Sequence, residues 1–283
     1  MTVRARKRRE IAILATLSSL IFIFILMPIA ILFVISFTSG DTMAFPPPGW
    51  SLRWYHMTFD MFMGRQQTGM VGNFSGSDRF LESLTTSIRI AFTTMVLTIL
   101  IAIPAAYALV RYEFRGKGVV EQVISFPTVY PLVVLGISFL ILSSLAGFTG
   151  GFWRIVFAHI VITFPFVVRN CVASLRGVSR SFEEVAATLG AGPVRAFVEI
   201  VLPPIRSGLA AGMLLAFILS FNEFTASFFL YSSSTLPFSM WMYTQASNDL
   251  NPVIFALSTV FIVLNILLIL LVERISGRDG PSV

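Results

Sequence analysis

Cysteine is almost missing from this chain. Cys171 stands alone among 283 residues, so no disulfide can close within it. The two histidines, His56 and His159, lie far apart, and no metal-ligand spacing links them to the cysteine; no metal site and no cofactor are expected. Charge is scarce too, at 12% of residues, roughly half the share of an ordinary soluble domain. A phosphate-cradling loop is absent: the one Gly-Lys pair, Gly116-Lys117, is followed by Gly118 where Ser or Thr would be needed. No Gly-x-Ser-x-Gly nucleophile elbow and no cluster of His, Cys and carboxylates points to catalysis, so the chain is not expected to be an enzyme.

What is abundant is apolar side chain, 56% of residues, with a mean hydropathy of +0.85. A soluble core of this size could not hide that much, and the composition identifies an integral membrane protein. Six stretches reach the ~20 residues needed to cross a bilayer: 11–37, 80–110, 119–146, 152–173, 205–231 and 252–273. The expected fold is therefore all-α, with six transmembrane helices. Arg4, Arg6, Lys7, Arg8 and Arg9 before the first stretch resemble the start of a signal peptide. The apolar run from Ile11 to Phe37 is too long for one, and is expected to stay as an uncleaved helix.

Basic residues near span ends mark the cytoplasmic side. They occur at the N-terminus, at Arg111, Arg115 and Lys117, at Arg176, Arg180, Arg195 and Arg206, and at Arg274 and Arg278, that is, on every second connection. Both termini are thus expected in the cytoplasm, and the net charge of +6 reflects membrane orientation, with no nucleic-acid partner implied. The chain then divides into a basic cytoplasmic N-terminus (1–10), a first transmembrane helix (11–37), an extracytoplasmic loop (38–79), a membrane bundle (80–274) and a cytoplasmic tail (275–283). The extracytoplasmic loop reads as irregular from Gly40 to Arg79. Trp50, Trp54 and Tyr55 suit the membrane interface, on an anchoring helix or against a partner, and the Gly/Ser-rich run 69–77 suits a flexible turn. Pro104, Pro127, Pro131 and Pro165 each remove a helical donor and permit a kink.

Between the fourth and fifth stretches lies a polar island. Ser181-Phe182-Glu183-Glu184 has capping-box spacing, in which the Ser181 hydroxyl and the Glu184 carboxylate satisfy each other's backbone N–H groups. A short helix follows, with Val185, Ala186, Ala187 and Leu189 as its apolar face and Gly190 as its left-handed stop. Pro193 restarts a helix with Ala196, Phe197 and Ile200 as its stripe, and Pro203-Pro204 is expected to close it before the fifth span. Such an element, too short to fold alone, needs a surface to dock against or packs beneath its own bundle.

The run Glu184-Val185-Ala186-Ala187-Thr188-Leu189-Gly190, followed after nine residues by Ile200-Val201-Leu202-Pro203, resembles the EAA loop in membrane subunits of ATP-binding-cassette importers. Val185 stands where that family most often has Ala. The likeness runs from about Leu81 to Arg274, and within the class residues 159–168 and 220–229 look like segments of spermidine and putrescine permeases; permeases for iron, thiamine and phosphonates share similar text. Polyamine relatives often carry paired acidic residues where this chain has Asn222-Glu223. The resemblance implies a bacterial inner-membrane permease forming half of a translocation pathway. Its partners would be two cytoplasmic ATPase subunits, a second permease subunit (homologous or identical) and an extracytoplasmic solute-binding protein, within membrane lipid. It further implies that Ser181, Glu183, Glu184, Ala186, Ala187, Leu189, Gly190, Ile200, Leu202 and Pro203 form an ATPase-coupling helix and loop.

A carboxylate inside a span costs roughly 2.5–3.5 kcal/mol on insertion scales and generally faces a partner or an aqueous cavity. Glu223, past the middle of the fifth span, is therefore the sharpest pathway candidate for a cationic solute, with Asn222, Ser220, Thr225 and Ser227 adding polar groups. The competing expectation is an internal pair, for example with Arg89 or Arg154, or hydrogen bonding between helices across the interface of two subunits. His159 is expected to be a packed polar residue and Asn265 a link between two helices. A stand-alone secondary transporter or channel, in which Glu223 titrates or coordinates an ion, is the alternative function.

Overall fold

The structure, a computed structural model, describes residues 3–65, 77–148, 150–248 and 251–276. The expected glycine-rich turn at 69–77, apart from Ser77 at the start of a helix, and most of the C-terminal tail lie outside them. Twelve α-helices occur among the described residues: α1 (Val3–Ile35), α2 (Arg53–Phe62), α3 (Ser77–Arg111), α4 (Lys117–Ser125), α5 (Leu132–Leu145), α6 (Gly151–Arg176), α7 (Ser181–Thr188), α8 (Pro193–Ala196), α9 (Leu202–Asn222), α10 (Thr225–Leu230), α11 (Phe238–Asn248) and α12 (Pro252–Ser276). No strand occurs among them beyond two isolated bridges. Five helical segments are long and apolar enough to cross a membrane: Ile11–Ile35, Arg79–Arg111, Gly151–Arg176, Pro193–Asn222 and Pro252–Ile275. A sixth exists if the bent pair Lys117–Thr128 and Leu132–Leu145 counts as one span.

That pair corrects the expectation of an unbroken helix over 119–146, because the chain bends by 101° between its halves. Two prolines four residues apart explain the bend. Pro127 sits in a 3-10 turn, Phe126–Thr128, and Pro131 is extended (φ −59°, ψ 129°) just before α5. Each removes an N–H and clashes with the preceding turn; at the first the chain only tightens into the 3-10 turn, with Phe126 still helical (φ −51°, ψ −45°), and at the second the helix is broken. Pro104 and Pro165, which lack such a neighbour, remain inside α3 and α6.

The chain divides into two compact units, residues 1–77 with 245–262, and residues 78–244 with 263–283. In the first, the side chains of α1 from Ile11 onward are almost all exposed, as suits a helix solvated by lipid. Beyond α1, the loop is more ordered than its composition suggests. Thr38 and Trp50 form an antiparallel bridge, and the Trp54 indole Nε1 donates to the Thr38 carbonyl at 2.9 Å. Trp54 is therefore a core residue of this unit, buried beneath the Arg53 guanidinium, while Trp50 remains exposed as an interfacial ring would. The hydroxyls of Ser36 and Tyr55 lie 2.7 Å apart and fasten α2 to the end of α1.

In the second unit, α6 packs along α9. Its core joins Ala102 and Ala106 of α3, Val167, Cys171 and Leu175 of α6, and Ile205 and Ala216 of α9. Small residues let these backbones approach closely, since lipid supplies no hydrophobic drive between helices and packing must. Gly208 marks the tightest point. A Cβ there would collide with the Ser174 Oγ. A second cluster joins Ile90, Ile155, Val156, Ala158 and Leu230, and Phe80, Phe238 and Trp241 make an aromatic nest around the start of α11.

Candidate functional site

The polar island forms the predicted pair of short helices, with two differences at its ends. The capping box is not made. Arg180 already has helical dihedrals (φ −61°, ψ −28°), so Ser181 falls inside the first turn and not at the cap. The Glu184 N–H donates to the Arg180 carbonyl at 3.2 Å, the Ser181 N–H to Ser179 Oγ at 3.3 Å, and the Glu184 carboxylate pairs with Arg180 at 3.4 Å on the surface. The C-terminus follows expectation closely. Gly190 has φ +86°, the Ala191 N–H returns to the Ala186 carbonyl at 3.0 Å and the Gly190 N–H to the Ala187 carbonyl at 3.0 Å, which together make a Schellman stop.

Pro193 opens α8 as expected, but Pro203-Pro204 does not close it. The chain passes from α8 through a π turn, Phe197–Val201, directly into α9, whose first turn contains both prolines. A proline tolerates the first turn of a helix, where its missing N–H is least needed, and the wider π turn just before absorbs the mismatch. Leu202 and Pro203 thus belong to the fifth span, and Ile200 to the joint before it.

The apolar face of α7 is split. Ala186 is buried, but Ala187 is exposed, and Phe182, Val185 and Leu189 stand out at one-turn and two-turn spacing, Leu189 being 83% exposed. The two glutamates separate likewise. Glu184 points outward, while Glu183 is 14% exposed, 2.6 Å from the Arg111 guanidinium, which is shielded further still, and accepts from the Tyr107 hydroxyl at 2.5 Å. Tyr107 and Arg111 lie more than seventy residues earlier in sequence; only the fold brings them to Glu183, and no local pattern marks them.

The fifth span ends sooner than expected. Helix α9 stops at Asn222, Glu223 is extended (φ −72°, ψ 116°), and the short α10 follows, so Glu223 occupies a break and not the body of a helix. Its side chain makes that break self-consistent. The carboxylate accepts from the Ala226 N–H at 2.9 Å and the Ser227 N–H at 3.1 Å, satisfying donors that the first turn of α10 would otherwise leave open. His159 completes the cluster, with Nε2 3.4 Å from the carboxylate and 3.0 Å from Ser227 Oγ, and Nδ1 2.8 Å from Ser220 Oγ. Glu223 is therefore paired internally, with His159 in place of the Arg89 or Arg154 considered from sequence. Ser220, Glu223 and Ser227 are buried, and His159 is a packed polar residue. Asn222 reaches Asn265 Oδ1 with its Nδ2 at 2.6 Å, joining α9 to α12. A cavity of about 450 Å³ opens beside the break, lined among others by Tyr130, Phe166, Ile218, Asn222, Glu223 and Thr225. Among the described residues no group of His, Cys, Asp and Glu is arranged to hold a metal ion.

Residues 98–278, well over half the chain, match the family described as "Binding-protein-dependent transport system inner membrane component". The chain belongs to that family. It is a multi-pass inner-membrane permease subunit of an ABC importer and not an enzyme, which sets aside the stand-alone transporter or channel. Among its relatives, the spermidine/putrescine transport system permease protein PotC of Escherichia coli (strain K12) is 29% identical over 259 residues, covering 92% of this chain and 91% of that one. The putrescine transport system permease protein PotI of the same organism is 30% identical over 248 residues, covering 85% and 82%. A solved bacterial ABC transporter involved in the import of the acidic polysaccharide alginate superposes with a TM-score of 0.65 over 99% of both chains, at 20% identity, which speaks for a shared fold alone.

Proposed function

We propose that this permease forms half of the translocation pathway for a polyamine-class cation and receives the motion of a cytoplasmic ATPase on the outer face of α7. The observation that carries the coupling role is the stripe of Phe182, Val185 and Leu189. On a helix whose inner side is sealed by Ala186 and Glu183, three large apolar side chains are left without cover, and such a contiguous patch marks a docking surface. Gly190 and the Schellman stop hold the stripe at a fixed angle, while the run from α8 through Ile200, Leu202 and Pro203 ties the loop to α9. Ser181, Glu184 and Ala187 would form the rim of the contact.

The chain carries no phosphate-cradling loop, so ATP would be bound by two separate ATPase subunits, each receiving one such helix. A second permease subunit, related or identical, would supply the other half of the pathway, and an extracytoplasmic solute-binding protein would deliver the solute. The bundle 80–274 would be the transport domain, with both termini in the cytoplasm and the segment 38–79 outside. For the substrate, support comes from the polyamine permeases PotC and PotI, which resemble this chain over most of its length. The cavity beside Glu223 adds a carboxylate, an amide and aromatic rings, groups that suit an amine. Within that site Ser220 and Ser227 would hold His159 and Glu223 in place, leaving Asn222 and Thr225 to face the solute.

Copurification and uptake test both parts. Leu189→Glu or Gly190→Pro should release the ATPase from the complex and abolish ATP-dependent uptake; retention of both activities would refute the docking role. Glu223→Gln should lower spermidine uptake with assembly intact, and undiminished uptake would remove Glu223 from the pathway.

A further inference from the structure

Helix α7 follows α6 in sequence, yet its buried side chain bonds lead to α3. Tyr107 and Arg111, four residues apart and so on one face at the end of α3, both converge on Glu183 in the first turn of α7. The Arg111 guanidinium also donates to the Val178 carbonyl at 3.0 Å, in the link between α6 and α7, and the Arg180 guanidinium returns to the Arg111 carbonyl at 3.4 Å, one of the open acceptors at the end of α3. The Tyr107 ring stands edge-on to Phe197 of the π turn at 5.4 Å, so the same residue touches the second arm of the loop. Arg111 and Glu183 are only 9% and 14% exposed, and a charge that far from water is tolerated only while its partner stays in place. Glu184, by contrast, pairs on the surface with Arg180 of its own turn and reaches α3 only through that exposed arginine.

We propose that Glu183 is a positioning residue that makes α7 and α3 move as one body, so that force received on the outer stripe of α7 reaches the membrane through Arg111 and Tyr107 and not only through the chain from α6. The inference rests on the docking role proposed above for that stripe. It divides the two adjacent glutamates by task, Glu184 at the rim of the contact and Glu183 on the transmission.

The test uses the complete transporter in proteoliposomes, with spermidine as the probe and spin labels at the exposed positions Thr188 and Leu100 in a Cys171→Ser background. The α3 to α7 distance should stay the same with and without ATP in the unmodified joint. It should broaden or shift in Glu183→Gln and Arg111→Met while the ATPase still copurifies, with uptake falling about tenfold, the scale of a typical coupling energy. The exchanged pair, Arg111→Glu with Glu183→Arg, should recover part of both. Tyr107→Phe, which deletes one hydrogen bond and strands no charge, should fold normally and give a smaller loss. A distance that changes with ATP in the unmodified joint, or one that Glu183→Gln leaves unaltered, overturns the inference. If Glu183→Gln loses the ATPase as Leu189→Glu should, Glu183 belongs to the contact and the inference falls while docking stands; if Leu189→Glu keeps the ATPase, the docking role itself fails.

Discussion

Single residues decide where this chain turns. Gly190, at φ +86° with open space where a Cβ would sit, is constrained by backbone conformation and not by crowding. Gly190→Ala should therefore cost about 1–2 kcal/mol, the penalty for a left-handed L-residue, and Gly190→Asn less. Thermal unfolding of the purified complex would measure it, and equal midpoints for glycine and alanine would contradict the conformational account. Glu223 is a second such residue. Replacing it with Ala removes a charged acceptor from two backbone donors and leaves His159 facing an empty site, which should destabilise the fold by about 2–4 kcal/mol. An unchanged melting temperature in Glu223→Ala would mean that α10 is held by packing alone. Gly190 was legible in the sequence because its type, after a helical run, has one common use. The partner of Glu223 was not, since His159 lies more than sixty residues away and a buried histidine carries no local signature.

At the level of elements, helix existence followed from apolar length and helix continuity did not. Pro104 and Pro165 sit inside continuous helices, whereas Pro127 and Pro131 together split an apolar stretch into two helices, and Pro203-Pro204 is carried through by a π turn. A proline's effect depends on whether the turn before it can widen or must break, which composition does not encode. The α6–α9 contact offers a direct check on packing. Gly208→Ala places a methyl against Ser174 and should destabilise by about 1–3 kcal/mol, as overpacking does. Because the clash is with one side chain, Ser174→Gly in the same molecule should recover most of it. A double-mutant cycle with purely additive effects would show that the helices do not meet there. The capping box failed at this scale as well: Ser179 and Arg180 start α7 a residue early, and the expected reciprocal bonds lose their geometry.

For the whole molecule, orientation is the property most open to test. Basic residues on alternate connections predict both termini and α7 in the cytoplasm, and Cys171, being fully buried, should not react with a membrane-impermeant maleimide. In a Cys171→Ser background, Thr188→Cys should be labelled only when the cytoplasmic face is open and Met43→Cys from the opposite side; the reverse pattern would invert the topology. Composition and charge placement by themselves determined that this chain is an all-helical membrane protein, how many apolar stretches it has and where its polar island lies, because bilayer thickness and the cost of moving charge through lipid act on local sequence. The tertiary structure alone decided which glutamate of the island turns inward, what it meets, where the fifth span stops and which apolar side chains of α7 are left uncovered. Those outcomes depend on pairing among residues sixty or more positions apart, where burying a charge is permitted only beside a partner that the fold, and not the neighbouring sequence, supplies.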